Sequence, residues 1–159
     1  MDKRGKKVKA EKLPAAAARI PKRSSDLVVD VDVDQWNSPP CWNYRYIDNA
    51  HFGAWDWRLS DAEQLQLWDF LKQMQGLSWK EIRNQTHGGH FKHHDMAAEV
   101  LADEAKERLW ELKLGELEQV FRFRLQGKVR LWGAFIGKGH EFYLLWWDRD
   151  HAVYPTDVD

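Results

Sequence analysis

Arg122, Arg124, Arg130 and Trp132 are the side chains in this sequence whose types and spacing suit chemistry on an anion. They belong to the stretch LEQVFRFRLQGKVRLWGAFIGKGHEFYLLWWDRDHAVYP, Leu117 to Pro155. Here runs rich in β-branched and aromatic residues are interrupted by Gly127-Lys128 and by Gly137-Lys138-Gly139, the pattern of an antiparallel meander. Along its first strand Phe121, Phe123 and Leu125 alternate with Arg122, Arg124 and Gln126, so the two sets project to opposite faces. A three-residue turn, Gly127 to Val129, sets residue 126 opposite 130, 125 opposite 131, 124 opposite 132 and 121 opposite 135. One face then collects Phe121, Phe123, Leu125, Leu131 and Phe135, and the other Arg122, Arg124, Arg130 and Trp132. A two-residue turn would place Arg130 opposite Leu125 and mix the faces, so the odd loop is the expected register. The sheet is therefore expected to have an oily side and a basic side. The same alternation also fits a solvated strand face paired with Glu and Asp, with the tryptophans in the core.

A second constellation is His87, His90, His93 and His94 around Gly88-Gly89. Neutral imidazoles at such spacing bind zinc when a tetrahedral set is complete, but no cysteine or second cluster completes one, so a polar loop without metal is expected. Gly137-Lys138-Gly139 precedes no helix and reads as a hairpin turn rather than a phosphate loop. No serine or cysteine nucleophile has a local signature, and no cofactor is expected.

The elements that must position these groups are legible upstream. Trp42, Tyr44 and Tyr46 alternate, as do Trp55, Trp57 and Leu59, which predicts one or two short strands. Ser60-Asp61-Ala62-Glu63 is a capping box opening a helix whose apolar stripe is Leu65, Trp68, Leu71 and Met74, flanked by Leu67 and Phe70, with Gly76 ending it. Ser78 to Glu81 repeats the box for a short helix to about Asn84. Asp95 is positioned to cap a longer helix through Leu114, with Ala97, Val100, Leu101, Leu109 and Leu112 inward and Gly115 closing it.

At 159 residues the chain is long enough for one domain with a substantial core. Its net charge of −1 conceals an asymmetry, because residues 1–23 hold nine Lys or Arg against two acids. That leaves the remainder near −8. Residues 1–34 therefore read as a disordered basic arm and 35–159 as the folded domain, although Val28 to Asp34 alternates like a strand. The arm suits loose nucleic-acid binding or simple solvation. Cys41 is the single cysteine, which excludes an internal disulfide. With no apolar stretch of membrane-spanning length and no signal-peptide core behind the basic start, a cytoplasmic protein is expected.

The order strand, helices, antiparallel meander resembles the RelE/ParE superfamily of small bacterial toxins. FRFRLQGKVRLWG is similar to their strand, Gly-turn, basic residue, strand segment, and the closing LLWWDRDHAVYP resembles a set of bacterial proteins ending in a tryptophan-rich strand, an Asp, a His and Val-Tyr-Pro. The resemblance covers roughly residues 42–155 in element order, with its specific motifs in the last forty or so. It implies an α+β fold with an antiparallel sheet of about four strands and two to three helices on one face. It further implies a toxin held by a cognate antitoxin protein and acting on messenger RNA in the ribosome. Arg130 matches the arginine after the Gly turn, while His151 and Tyr154 match the terminal histidine and tyrosine, which gives these three the catalytic roles. Arg122, Arg124, Lys128 and Trp132 would then hold nucleic acid. Attack of a 2′-hydroxyl on the adjoining phosphate needs a base, an acid for the leaving group and cations around phosphorus. The sequence departs from this pattern in its acidic domain, in Asp148 and Asp150 flanking Arg149, and in the number of tryptophans.

Gln64-Leu65-Gln66-Leu67-Trp68 resembles the Gln-Leu-x-Leu-aromatic peptide by which bacterial proteins dock onto the replication sliding clamp. Leu65, Leu67 and Trp68 would fill an apolar pocket while Gln64 bonds at the rim. That resemblance implies a non-enzymatic toxin blocking replication. The same residues also fit the buried stripe of the first helix.

Overall fold

The computed structural model describes residues 33–137 and 140–156. The basic arm, most of the Val28 to Asp34 alternation, and positions 138 and 139 of the second turn lie outside the described residues.

Two capping boxes start the first helices, as the sequence predicts. The Ser60 hydroxyl accepts the Glu63 N–H at 3.2 Å and Glu63 Oε2 accepts the Ser60 N–H at 2.8 Å, opening helix α1 at Asp61–Gln75. Ser78 and Glu81 repeat this for α2, Trp79–Arg83, with Asn84 as its C-cap. Between α2 and the main sheet a small hairpin pairs β2, Thr86–His87, with β3, His90–Phe91, and its turn glycines Gly88 and Gly89 have φ of 60° and 82°, values that favour glycine.

The main sheet has five strands and is mixed, where about four antiparallel strands are expected. Its order is β1-β7-β6-β5-β4, with β1 at Cys41–Asn43, β4 at His94–Ala97, β5 at Gln119–Arg124, β6 at Arg130–Phe135 and β7 at Glu141–Asp148. The extra pairing is β1, which lies parallel to β7. The meander β5-β6-β7 is antiparallel. Phe123 faces Leu131 and Arg124 faces Arg130, and the Leu125 N–H donates to Val129 O, so the loop is Gln126-Gly127-Lys128. It has three residues but starts one residue earlier than expected, which brings Phe121 opposite Gly133 instead of Phe135. Each residue's partner on β6 thereby moves by two positions, and an even shift in register leaves every side chain on its predicted face.

Both faces of the sheet are buried, which corrects the expectation of helices on one face only. On one side α1 and α2 pack over Phe121, Phe123, Leu131, Phe142, Leu144 and Trp147. Trp79 sits fully buried at the centre, in edge or tilted contact with Phe121, Phe123, Phe135 and Phe142. On the other side α3, Asp103–Glu111, packs Ala105 and Leu109 against Val120, Trp132, Ala134, Leu145 and Trp146. A bulge makes this second face apolar enough to need cover: Trp132 faces Trp146 but Gly133 faces Leu144, so Leu145 and Trp146 turn to the same side. Gly133 is required there, since a Cβ would meet the Phe142 ring at 2.3 Å.

Two local expectations are corrected and a third is met at its lower bound. The segment from Asp95 is not the start of a long helix. His94–Ala97 forms the edge strand β4 against β5, a 3-10 turn follows at Ala98–Val100, and α3 begins only at Asp103. Strand pairing outweighs local helix propensity here, and Asp95 pairs with Arg83 instead of capping. Leu101 and Leu109 are buried as expected, whereas Val100 is exposed. Of the one or two short strands expected near the start, one forms, at Cys41–Asn43; in the second segment the Trp57 indole donates to Leu145 O at 2.8 Å. Finally, α1 buries Leu67, Phe70, Leu71 and Met74, leaving Leu65 and Trp68 exposed at 63% and 52%.

Buried charges clamp the layers together. Asp48 accepts both forks of Arg108, at 2.9 and 2.7 Å, and the Trp146 indole at 3.1 Å. Burial pushes its carboxyl up, but these donors outweigh that and hold it below the usual range. Arg149 likewise bonds Glu63, Asp56 and the Arg58 carbonyl, joining the end of β7 to the start of α1. Among the described residues no helix is long and apolar enough to cross a membrane.

Candidate functional site

The β5–β6 register brings Arg122, Arg124 and Arg130 onto one face at one end of the sheet. Arg124 faces Arg130 directly, and Arg122 lies between Trp132 on β6 and His94 on β4. The end of the chain returns over them because Asp148, the last residue of β7, is fully buried and pins the backbone beyond it. Its carboxylate accepts the Ala152 N–H at 2.8 Å, the Val153 N–H at 3.0 Å and the Trp132 indole N–H at 3.2 Å. The intervening turn holds His151 at φ 59°, an uncommon conformation for a residue with a Cβ. His151 Nε2 thereby lies 3.2 Å from a terminal nitrogen of Arg122, and the Tyr154 ring stands edge-on to the imidazole with centroids 6.5 Å apart.

This bond fixes the state of the imidazole. A guanidinium has no acceptor, so His151 Nε2 must accept, and the ring proton of the neutral form sits on Nδ1. Burial, reinforced by Arg130 and Arg122, pushes the His151 pKa below its ordinary value.

The arginines are held but not neutralised. Arg130 is buried, with one terminal nitrogen donating to Gly127 O at 2.8 Å and Val129 O at 2.9 Å, and its Nε has no partner. Arg122 Nε is also buried without a partner. Among the described residues none of Arg122, Arg124 and Arg130 has a carboxylate within ion-pairing distance. Burial first, then Arg122 and Arg124, bring the Arg130 pKa down to about 10, against the opposing pull of Asp148. Concentrated positive charge of this kind, with unused donors, is stabilised by an incoming anion.

Other residues named from the sequence fall elsewhere. Lys128 is exposed in the β5–β6 turn. Trp132 is fully buried and its indole is engaged by Asp148, so it offers no face for stacking a base, which corrects its assignment to nucleic-acid binding. Gln64, Leu65 and Trp68 are exposed, but Leu67 is in the core of α1, so the clamp-like peptide is not available as an extended segment.

The four loop histidines separate. His87 and His90 face each other on the small hairpin, and His94 faces Arg122. His93 is buried, its Nε2 2.9 Å from Gln85 Oε1 and its Nδ1 accepting the Arg124 N–H at 3.1 Å. Burial above all pushes the His93 pKa down to about 3.

His94 and Asp148 are the site residues the sequence reading misses. His94 looks like one more loop histidine until β4 is recognised as a strand. Asp148 looks like a carboxylate repelling phosphate until the fold turns two backbone amides and an indole toward its oxygens.

No protein-family model, curated protein or solved structure matches the chain.

Proposed function

We propose that this chain is a toxin of the RelE/ParE kind, an endoribonuclease that cleaves messenger RNA in the cytoplasm and is restrained by a cognate antitoxin protein. One observation carries the reading: three arginines without ion-pair partners converge beside a neutral histidine and a tyrosine. In the proposed reaction Arg122, Arg124 and Arg130 hold the scissile phosphate. As Arg122 turns to the phosphate it releases His151 Nε2, which then takes the proton from the 2′-hydroxyl. The 2′-oxygen bonds to phosphorus, the bond to the 5′-oxygen breaks, and Tyr154 protonates that leaving oxygen. The products are a 2′,3′-cyclic phosphate and a 5′-hydroxyl. The cations oppose the charge that grows on the phosphoryl oxygens, the usual largest contribution in such reactions.

The test is induction in a bacterium followed by primer extension on messenger RNA. Growth arrest with cut transcripts is expected, and Arg124→Ala and His151→Ala should relieve both while the protein remains folded. Arrest with intact transcripts would leave the ribonuclease reading without support.

A second reading, a toxin that blocks replication at the sliding clamp, is favoured by the exposure of Leu65 and Trp68 one helical turn apart on α1. It would have to use these two as a helical anchor pair, since Leu67 is committed to the core.

A further inference from the structure

A groove of about 510 Å³ lies between α1, the β2–β3 hairpin and the β5–β6 turn. Arg124 lines it at the end of β5 and is paired across the strands with Arg130, so the groove, on the α1 side of the sheet, meets the arginine cluster of the other face around the end of that strand. Lys92 supplies a second cation, and its backbone N–H is fixed to Gln85 O at 2.8 Å. Neither Lys92 nor Arg124 has an ion pair among the described residues. The remaining polar lining is three amides, Gln66, Gln73 and Gln126, together with Asp69 and His87.

That mixture is unlike a simple phosphate pocket. Two cations suit the backbone of a nucleic acid, while amides present both donors and acceptors and so suit the edge of an unpaired base. Asp69 repels phosphate but accepts a hydrogen bond from a ribose 2′-hydroxyl, a donor that DNA lacks. We infer that the groove holds the RNA nucleotide next to the one whose phosphate rests on the arginine cluster. This rests on the RNA-cleaving reading above and adds to it a second subsite, on the far side of Arg124, that reads a single-stranded ribonucleotide.

The experiment is fluorescence anisotropy of the full chain carrying His151→Ala, which prevents cleavage, with labelled single-stranded RNA dinucleotides and hexanucleotides. The hexanucleotide should bind about tenfold more tightly, the scale of one well-held nucleotide. Lys92→Ala and, separately, Gln66→Ala should remove most of that gain while leaving dinucleotide affinity unchanged. Length-independent binding, or a gain that both variants retain, overturns the groove while the cleavage reading stands on its own assay. A DNA hexanucleotide that binds as tightly as RNA overturns the role given to Asp69. Absence of binding to any RNA overturns both the groove and the function on which it rests.

Discussion

Arg130 and Asp148 face each other across β6 and β7 but form no ion pair. The carboxylate is spent on Trp132 and on the amides of Ala152 and Val153, and one terminal nitrogen of the guanidinium on the Gly127 and Val129 carbonyls. The strand ends are thus tied down by charged groups that leave the arginine's charge available. Asp148→Ala should cost roughly 3 kcal/mol or more, because buried donors left unpaired cost about 1–3 kcal/mol each. It should also free the segment carrying His151, which hydrogen exchange at Ala152 and Val153 would detect.

A core substitution on the opposite face should behave differently. Phe123 is fully buried among Trp42, Phe70, Trp79 and Phe142. Phe123→Ala should destabilise by about 3–5 kcal/mol in urea unfolding. Arg124→Ala, on a half-buried side chain with no ion pair, should cost well under that and register instead as lost RNA cleavage.

Acid should weaken the fold through His93. Its folded pKa of about 3 lies below the ordinary value of about 6.5, so the unfolded chain binds the extra proton between these limits. The stability is therefore fully present above about pH 6.5 and is lost as pH falls toward about 3, where the folded ring protonates as well. Urea midpoints measured at about pH 7.5, 6 and 5 should decline in that order, and His93→Gln should flatten the decline.

Cleavage should persist into mild acid for a related reason. The His151 pKa is held below the ordinary imidazole value, so the neutral base survives there. The acid limb of the rate profile should fall below about pH 6.5, and Arg122→Gln should move it upward by removing one of the cations responsible.

Trp68→Ala separates the two functional readings cleanly, because the indole is outside the core. It should change stability by no more than about 0.5 kcal/mol. Binding of the purified sliding clamp that is lost with Trp68→Ala or Gln64→Ala would favour the replication reading; no clamp binding in the parent protein removes it.

Much of this arrangement could be read from residue order, and the exceptions share a cause. Alternation in β5 and β6 identifies which side chains share a face, and the capping boxes locate α1 and α2. What local pattern cannot supply is where the rest of the chain goes. Leu71 and Met74 belong equally to a stripe with Leu65 and Trp68 or to one with Leu67 and Phe70, and only the position of the sheet decides between them. His94–Ala97 becomes strand because β5 offers a partner. The arginine face is legible for the same reason that the faces are. The place of His94 opposite Arg122, and the way Asp148 anchors the backbone of Ala152 and Val153, depend on pairings that local pattern does not show.

The parallel pairing of Cys41–Asn43 with Glu141–Tyr143 also bears on how the protein is made. The edge of β7 that receives β1 belongs to the last of the described strands to leave the ribosome, and contacts of such sequence separation are slow to close. Until then Trp42 has no Phe142 to pack against, and the aromatic core beneath α2 stays open on that side. Synthesis of the C-terminal third thus completes the core and delivers His151 in one late event, so a nascent chain stalled before β7 would have neither.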